Sequence, residues 1–176
     1  MTKLLLPDKD VMVAVCRGLP AIVDHPIIDW VGELGHWHGL YLQRNLTDSK
    51  VFDGHRARLA REIDRWVNLN PVALAGACLH TETFGSVVDR LAYLCALAFH
   101  APSEMLRGGA RFDAELLVQD LADGYQILNV QVSQGHRRLP LVCDLASTPD
   151  ALGVCLAARC APRRSFVNRS ARVRPP

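Results

Sequence analysis

Five stretches of this chain repeat apolar side chains every three to four residues, and Pro, Gly or Asn-Pro breaks separate them. That period is the helical one, and no segment shows a convincing alternation of the strand period. The first stretch runs from about Pro7 to Arg17 and stops at Gly18, with Pro20 beyond. The second opens at Asp24, a capping residue followed by Pro26, and carries Ile27, Trp30, Val31, Leu34, Trp37, Tyr41 and Leu42 on one face at ~100° per residue. The third runs from Lys50 or Asp53 to Leu69. Its inner stripe includes Phe52, Leu59, Ile63 and Val67, and Arg58, Arg61, Glu62, Asp64 and Arg65 form a mixed outer face. The fourth starts near His80 or Thr81 and ends at His100, before Ala101-Pro102. Phe84, Val88, Leu91 and Cys95 face inward, and Glu82, Ser86, Asp89 and Tyr93 lie on the other side. The fifth spans about Asp113 to Ser133, with Gly135 as its stop. The expected fold is all-α: an up-down four-helix bundle with a short N-terminal helix and a C-terminal appendage.

A length of 176 residues fits one bundle domain, expected over residues 1–140. A chain of this size buries about 70% of its unfolded surface, enough for a real core. Beyond Pro140 the pattern changes. A short apolar helix is expected from Thr148 or Pro149 to Arg159, then a stretch rich in Arg, Pro and Ser with no core pattern, expected to be disordered. Charge divides at the same place. Residues 1–150 hold 14 basic and 18 acidic groups, and residues 151–176 hold six Arg and no acid. The preponderance of Arg over Lys, 17 to 3, suggests a bacterial coding sequence of high GC content. No apolar run approaches the ~18 to 20 residues of a membrane span, and the start lacks a signal-like apolar core, so a cytoplasmic location and no membrane partner are expected. Six cysteines without a Cys-x-x-Cys argue against a disulfide framework or a zinc site.

Polar residues on the apolar faces are the candidates for function. His38 lies between Leu34 and Leu42, with Asn45 further along the same stripe. Arg56 sits between Phe52 and Leu59, and His80 lies one turn before Phe84. Each needs a partner if buried. The plain alternative is a satisfied structural histidine at 38, and rim residues that snorkel outward at 56 and 80. In an up-down bundle His38 and Arg56 meet at one end, and His80 opens the fourth helix roughly 20 Å away at the other, near Trp66. The line Glu82, Ser86, Asp89, Tyr93 reads as a solvated face. Its sharper alternative pairs Arg56 or Arg90 with Asp89 or Glu82 where helices meet. Glycines 32 and 39, opposite the apolar face of the second helix, would be explained by the close approach of another segment.

Enzyme motifs fail on geometry. Glu33-Leu34-Gly35-His36 has the Glu-x-x-His spacing of di-iron bundles, yet both residues point away from the apolar face and no second copy exists. Ser86 and Asp89 lack a nucleophile elbow, and Gly108-Gly109 is no phosphate loop. No metal and no cofactor are expected.

His55-Arg56, then Ile63-Asp64-Arg65-Trp66-Val67, then Leu79-His80-Thr81-Glu82-Thr83 and Gly85-Ser86-Val87-Val88-Asp89-Arg90-Leu91-Ala92 form a pattern. It resembles a bacterial family of domains of unknown function, family 4254. Leu121-Ala122-Asp123, Tyr125 and Gly135 to Pro140 fit the same resemblance, which covers roughly residues 8 to 140. It implies an all-helical protein and names no reaction.

The reading is therefore a cytoplasmic helical module without catalysis, a homo-oligomer or the partner of another protein. The apolar strip Leu116, Ile127 and Val130, left over on the fifth helix, needs cover. The alternative is an enzyme or binder of a small anionic ligand, using His38 and Arg56, or His80 and Glu82, with Asp89 and Arg90 as further ligand-binding candidates. A weaker alternative is nucleic-acid association through the basic tail, which has only Phe166 for stacking.

Overall fold

The computed structural model describes residues 6–21, 23–43, 48–70, 72–106 and 109–140. The C-terminal appendage with its expected helix and basic tail lies outside the described residues, as does Asn45. In chain order the described elements are α1 (Lys9–Cys16), α2 (Ile28–Leu42), α3 (Ser49–Leu69), β1 (Cys78–Leu79), α4 (Phe84–His100), α5 (Ala110–Ser133) and β2 (Arg137–Arg138). The fold is all-α, as its periodicity requires.

From α2 on, helices consecutive in the chain run in opposite senses. Tyr41, Trp37 and Glu33 of α2 meet Phe52, His55 and Arg58 of α3 in turn. Arg56 and Asp64 of α3 meet Asp89 and Gly85 of α4. Phe84 of α4 meets Tyr125 of α5, and Arg111 near the start of α5 donates to the Ala101 carbonyl after α4. This order is compatible with an up-and-down bundle. α4 packs against all four other helices, and its Phe84, Val88, Leu91, Ala92 and Cys95 are sealed in the core. The short α1 is tied to α5 by main-chain acceptors: Tyr125 Oη donates to the Pro7 carbonyl at 2.7 Å and Asn129 Nδ2 at 3.0 Å. Burial pushes the Tyr125 phenol far above its ordinary pKa, so it stays a donor.

Local chemistry sets the boundaries. Asp8 caps α1 through the Val11 amide, and Asp48 caps α3 through the Lys50 amide. Gly18 and Gly135 take positive φ just past α1 and α5, the stop expected of glycine there. Three expectations need correction. α2 begins at Ile28 rather than after Asp24, because the turn at Pro26 and Ile27 precedes it. α4 begins at Phe84, not at His80 or Thr81, because the Thr83 side chain takes the Ser86 amide and caps the helix there. The segment before it joins a parallel strand pair that the sequence pattern did not show: Cys78 opposite Arg137 and Leu79 opposite Arg138.

The tight glycine of α2 is also a different one. A Cβ on Gly35 would lie 2.3 Å from the Cys16 carbonyl oxygen, whereas Gly32 and Gly39 have ordinary clearance. Gly35 is what lets the end of α1 rest on α2.

Candidate functional site

Two polar clusters hang from consecutive residues of α4. The first is built on Asp89. One carboxylate oxygen accepts from His38 Nε2 at 3.0 Å, and the other from Arg56 Nη1 at 3.2 Å. One side chain thus ties α2, α3 and α4 together. The His38 ring is buried, with Phe52 and Tyr93 against it edge-on. Asp89 is only 15% exposed. The expectation of a solvated face is therefore wrong at this position. α2 and α3 meet α4 at Asp89, where the pairing with Arg56 is the arrangement present, while Ser86 and Tyr93 of the same line stay exposed. Arg56 itself is half-exposed and also reaches Asp53 at 3.6 Å, so its outward arm behaves as a rim residue.

Electrostatically the cluster is nearly closed. Asp89 balances Arg56, and its other oxygen faces His38 Nε2. His38 Nδ1 is buried and without a partner, and the buried Arg56 Nε lacks one too. Beside them His55 stacks on Trp37 with ring centroids 4.1 Å apart.

The second cluster contains His80, Glu82 and Arg90. Arg90 Nη2 lies 2.8 Å from Glu82 Oε2 as an ion pair without a well-aligned hydrogen bond. His80 Nδ1 lies 3.2 Å from the Glu82 amide nitrogen and 2.9 Å from its carbonyl oxygen, closing a local loop over residues 80–82. The His80 amide donates to the Arg138 carbonyl at 2.7 Å. His80 thus serves the strand pair and the lead into α4. Trp66, the neighbour expected for His80, has His25 against it in a T-shaped contact. Asp89 and Arg90 are neighbours in sequence, so both clusters take one member from the same turn of α4.

Pattern reading missed two further groups. Asp64, expected on the outer face of α3, is buried and takes the Gly85 amide at 2.6 Å. It lies beside Ala60 at the edge of the apolar stripe, and Gly85 was the signal that something comes close there. Cys16 and Cys95, 79 residues apart, meet as a buried thiol pair between α1 and α4. Among the described residues, no three His, Cys, Asp or Glu side chains are grouped to hold a metal ion.

A third feature lies on α5. Phe112, Leu116, Ile127 and Val130 are exposed, Phe112 at 64% and Ile127 at 60%. Beside them a groove of about 420 Å³ runs between α1 and α5 over Val13, Val118 and Phe99, and Arg17 lies 3.9 Å above the Phe99 ring.

These features define an all-α protein with an internally paired polar node and an apolar helix face left exposed among the described residues. The chain belongs to the DUF4254 family, described as a protein of unknown function, whose model matches residues 48–141, just over half of its length. The match includes Arg56, His80, Glu82, Asp89 and Arg90 and begins after His38. No curated protein and no solved structure matches the chain.

Proposed function

We propose that this chain is a non-catalytic helical interaction module of the cytoplasm that works through protein contacts and associates with copies of itself. The observation that carries the reading is the outer face of α5. At ~100° per residue, Phe112, Leu116, Ile127 and Val130 fall within about 60° of one another, and the buried Val118, Tyr125 and Val132 lie on the opposite side. A helix with an apolar face on both sides serves two surfaces, its own core and a partner. The polar node supports the same reading from the other direction. Its charges are matched internally, and an arriving anion would have to compete with Asp89 for Arg56. No described helix is long and apolar enough to cross a membrane.

Sedimentation velocity over a wide concentration range tests the reading. The wild type should show a concentration-dependent mass above that of a single 19.4 kDa chain, and Ile127→Asp should remain a monomer with unchanged helicity. A strict monomer at millimolar concentration would sink it.

A second reading, a site for a small anionic molecule between α2, α3 and α4, rests on the two buried nitrogens without partners, His38 Nδ1 and Arg56 Nε. Titration with phosphate and with acetate, followed by the His38 ring resonances, separates the two. Saturable shifts lost in Arg56→Ala would favour the ligand site, and unshifted resonances would remove it.

A further inference from the structure

The groove between α1 and α5 carries two opposite charges at one end that do not pair with each other. α1 begins beside the middle of α5, where Lys9 pairs with Asp123, and at its far end Arg17 lies 3.9 Å over the Phe99 ring. Phe99 shortly precedes Ala101, whose carbonyl takes Arg111 near the start of α5. Arg17 and Glu115, both lining the groove, therefore share that end. Among the described residues neither has a salt-bridge partner. We infer that this end of the groove binds a small zwitterion of the amino-acid type, with its carboxylate on Arg17, its ammonium on Glu115 and an aliphatic side chain on Val13 and Val118. None of the exposed α5 residues Phe112, Leu116, Ile127 and Val130 lines the groove, so the inference stands apart from self-association.

Size, preorganisation and charge each narrow the ligand. The groove holds about 420 Å³, within the range of small-molecule sites. A guanidinium stacked on an aromatic ring has a fixed plane and keeps its edge N–H donors free, which suits a carboxylate taken by two parallel bonds. The stacking also keeps Arg17 on the Phe99 ring rather than on Glu115, so both charges stay available. Charge then selects the class. Of the charged residues lining the groove, Lys9 and Asp123 neutralise each other, which leaves Arg17 facing Glu115 and Asp10. Phosphate or a dicarboxylate would gain Arg17 and be repelled by two acids. A simple amine would gain the acids and be repelled by Arg17. A molecule with one carboxylate and one ammonium close together satisfies Arg17 and Glu115 at once. Glu115 is half-buried, so its charge is screened less than that of a fully solvated side chain.

Three probes that differ only in charge test the site on the full chain: leucine, N-acetyl-leucine, which keeps only the carboxylate, and leucinamide, which keeps only the ammonium. Each is titrated at millimolar concentration while the Phe99 ring and the amides of α1 and α5 are followed by NMR. Leucine should give saturable shifts, and each blocked probe should bind about two- to five-fold more weakly, the worth of one partly exposed charge pair. Two variants then assign the charges. Arg17→Gln should erase the preference for leucine over leucinamide and leave its preference over N-acetyl-leucine. Glu115→Gln should do the converse. Helicity should stay at the wild-type level in both, because neither side chain belongs to the core. No saturable shift with leucine would overturn the site, and so would equal binding of the three probes. Preferences unchanged in the two variants would also overturn it, since the groove would then not read charge through Arg17 and Glu115. None of these outcomes bears on self-association, which sedimentation measures separately.

Discussion

Asp64 of α3 accepts the main-chain amide of Gly85 at 2.6 Å, so α4 is capped from a neighbouring helix as well as by its own Thr83. The free amides at a helix start need acceptors, and one supplied by another helix fixes the crossing of the two. The same contact explains the glycine. A Cβ at position 85 would lie 2.1 Å from the Ala60 carbonyl oxygen and 3.0 Å from the Asp64 carboxylate.

Gly85→Ala should therefore cost about 3 kcal/mol or more, because the obstacle is main chain and cannot swing away. Gly54→Ala, on the same α3 that Gly85 touches but with open space around it, is the control. It should stabilise by about 0.5 to 1 kcal/mol. Urea denaturation of both variants checks the pair. Similar behaviour of the two would contradict the close crossing.

The Asp64 carboxyl also predicts a pH dependence. Burial raises its pKa above the ordinary value, outweighing the hydrogen bonds from Gly85, Thr83 and Phe84 that favour the ionised form. A group that binds its proton more tightly when folded contributes stability that is full below its unfolded pKa, about 3.9 for Asp, and fades as pH rises through the raised folded value. Asp64→Asn does not titrate. The stability of the wild type relative to this variant should be greatest near pH 4 and should fall toward neutrality. Denaturant titrations across that range measure it, and a difference growing with pH would show that the hydrogen bonds dominate.

At the three-helix node, Asp89→Ala would leave a buried His38 N–H without an acceptor and free Arg56. The loss should be about 2 to 3 kcal/mol, most of it from the histidine, because the Arg56 arm is half-exposed. Arg56→Ala should cost less, about 1 kcal/mol. Thermal unfolding of the two variants ranks them. The reverse order would place the main role on the arginine.

The thiols should divide sharply in reactivity. Cys16 is held well above the ordinary thiol pKa by its hydrogen bond to Cys95 and by burial, and Cys95 is equally enclosed. Cys78 is exposed. Brief alkylation followed by peptide mass mapping should label Cys78 and spare the other two until denaturant is added. Early labelling at Cys95 would mean that α1 opens readily.

Helix periods and their breaks made the fold readable before any coordinates, because each helix turns one stripe inward and ends at Pro, Gly or a capping side chain. His38 and Arg56 could be matched for a similar reason: an inward polar residue on each of two adjacent helices has few other places to go. What stayed hidden depended on pairing between helices. Asp89 looked solvated because it borders the exposed side of α4 that carries Ser86, Arg90 and Tyr93, and only the positions of α2 and α3 decide that it is covered. Asp64 sat at the edge of its stripe, where a few degrees of rotation decide burial. The start of α4 was misplaced because Thr81 and Thr83 both suit a cap; the one used is Thr83, and the His80 amide before it is taken by the Arg138 carbonyl.

That last bond belongs to the parallel pair of β1 and β2. Parallel strands need a long crossover between them, and here the crossover is the α4–α5 hairpin itself. The two ends of the hairpin are consequently pinned to each other by main chain. Neither helix can slide lengthwise past the other without breaking those bonds, and the ring they close spans most of the second half of the described chain. Closing so long a loop costs chain entropy, so the strand pair is expected to form after the helices dock and its amides to exchange early when they part. The protein thus carries its own latch: a few backbone hydrogen bonds whose opening reports that the hairpin has begun to come apart.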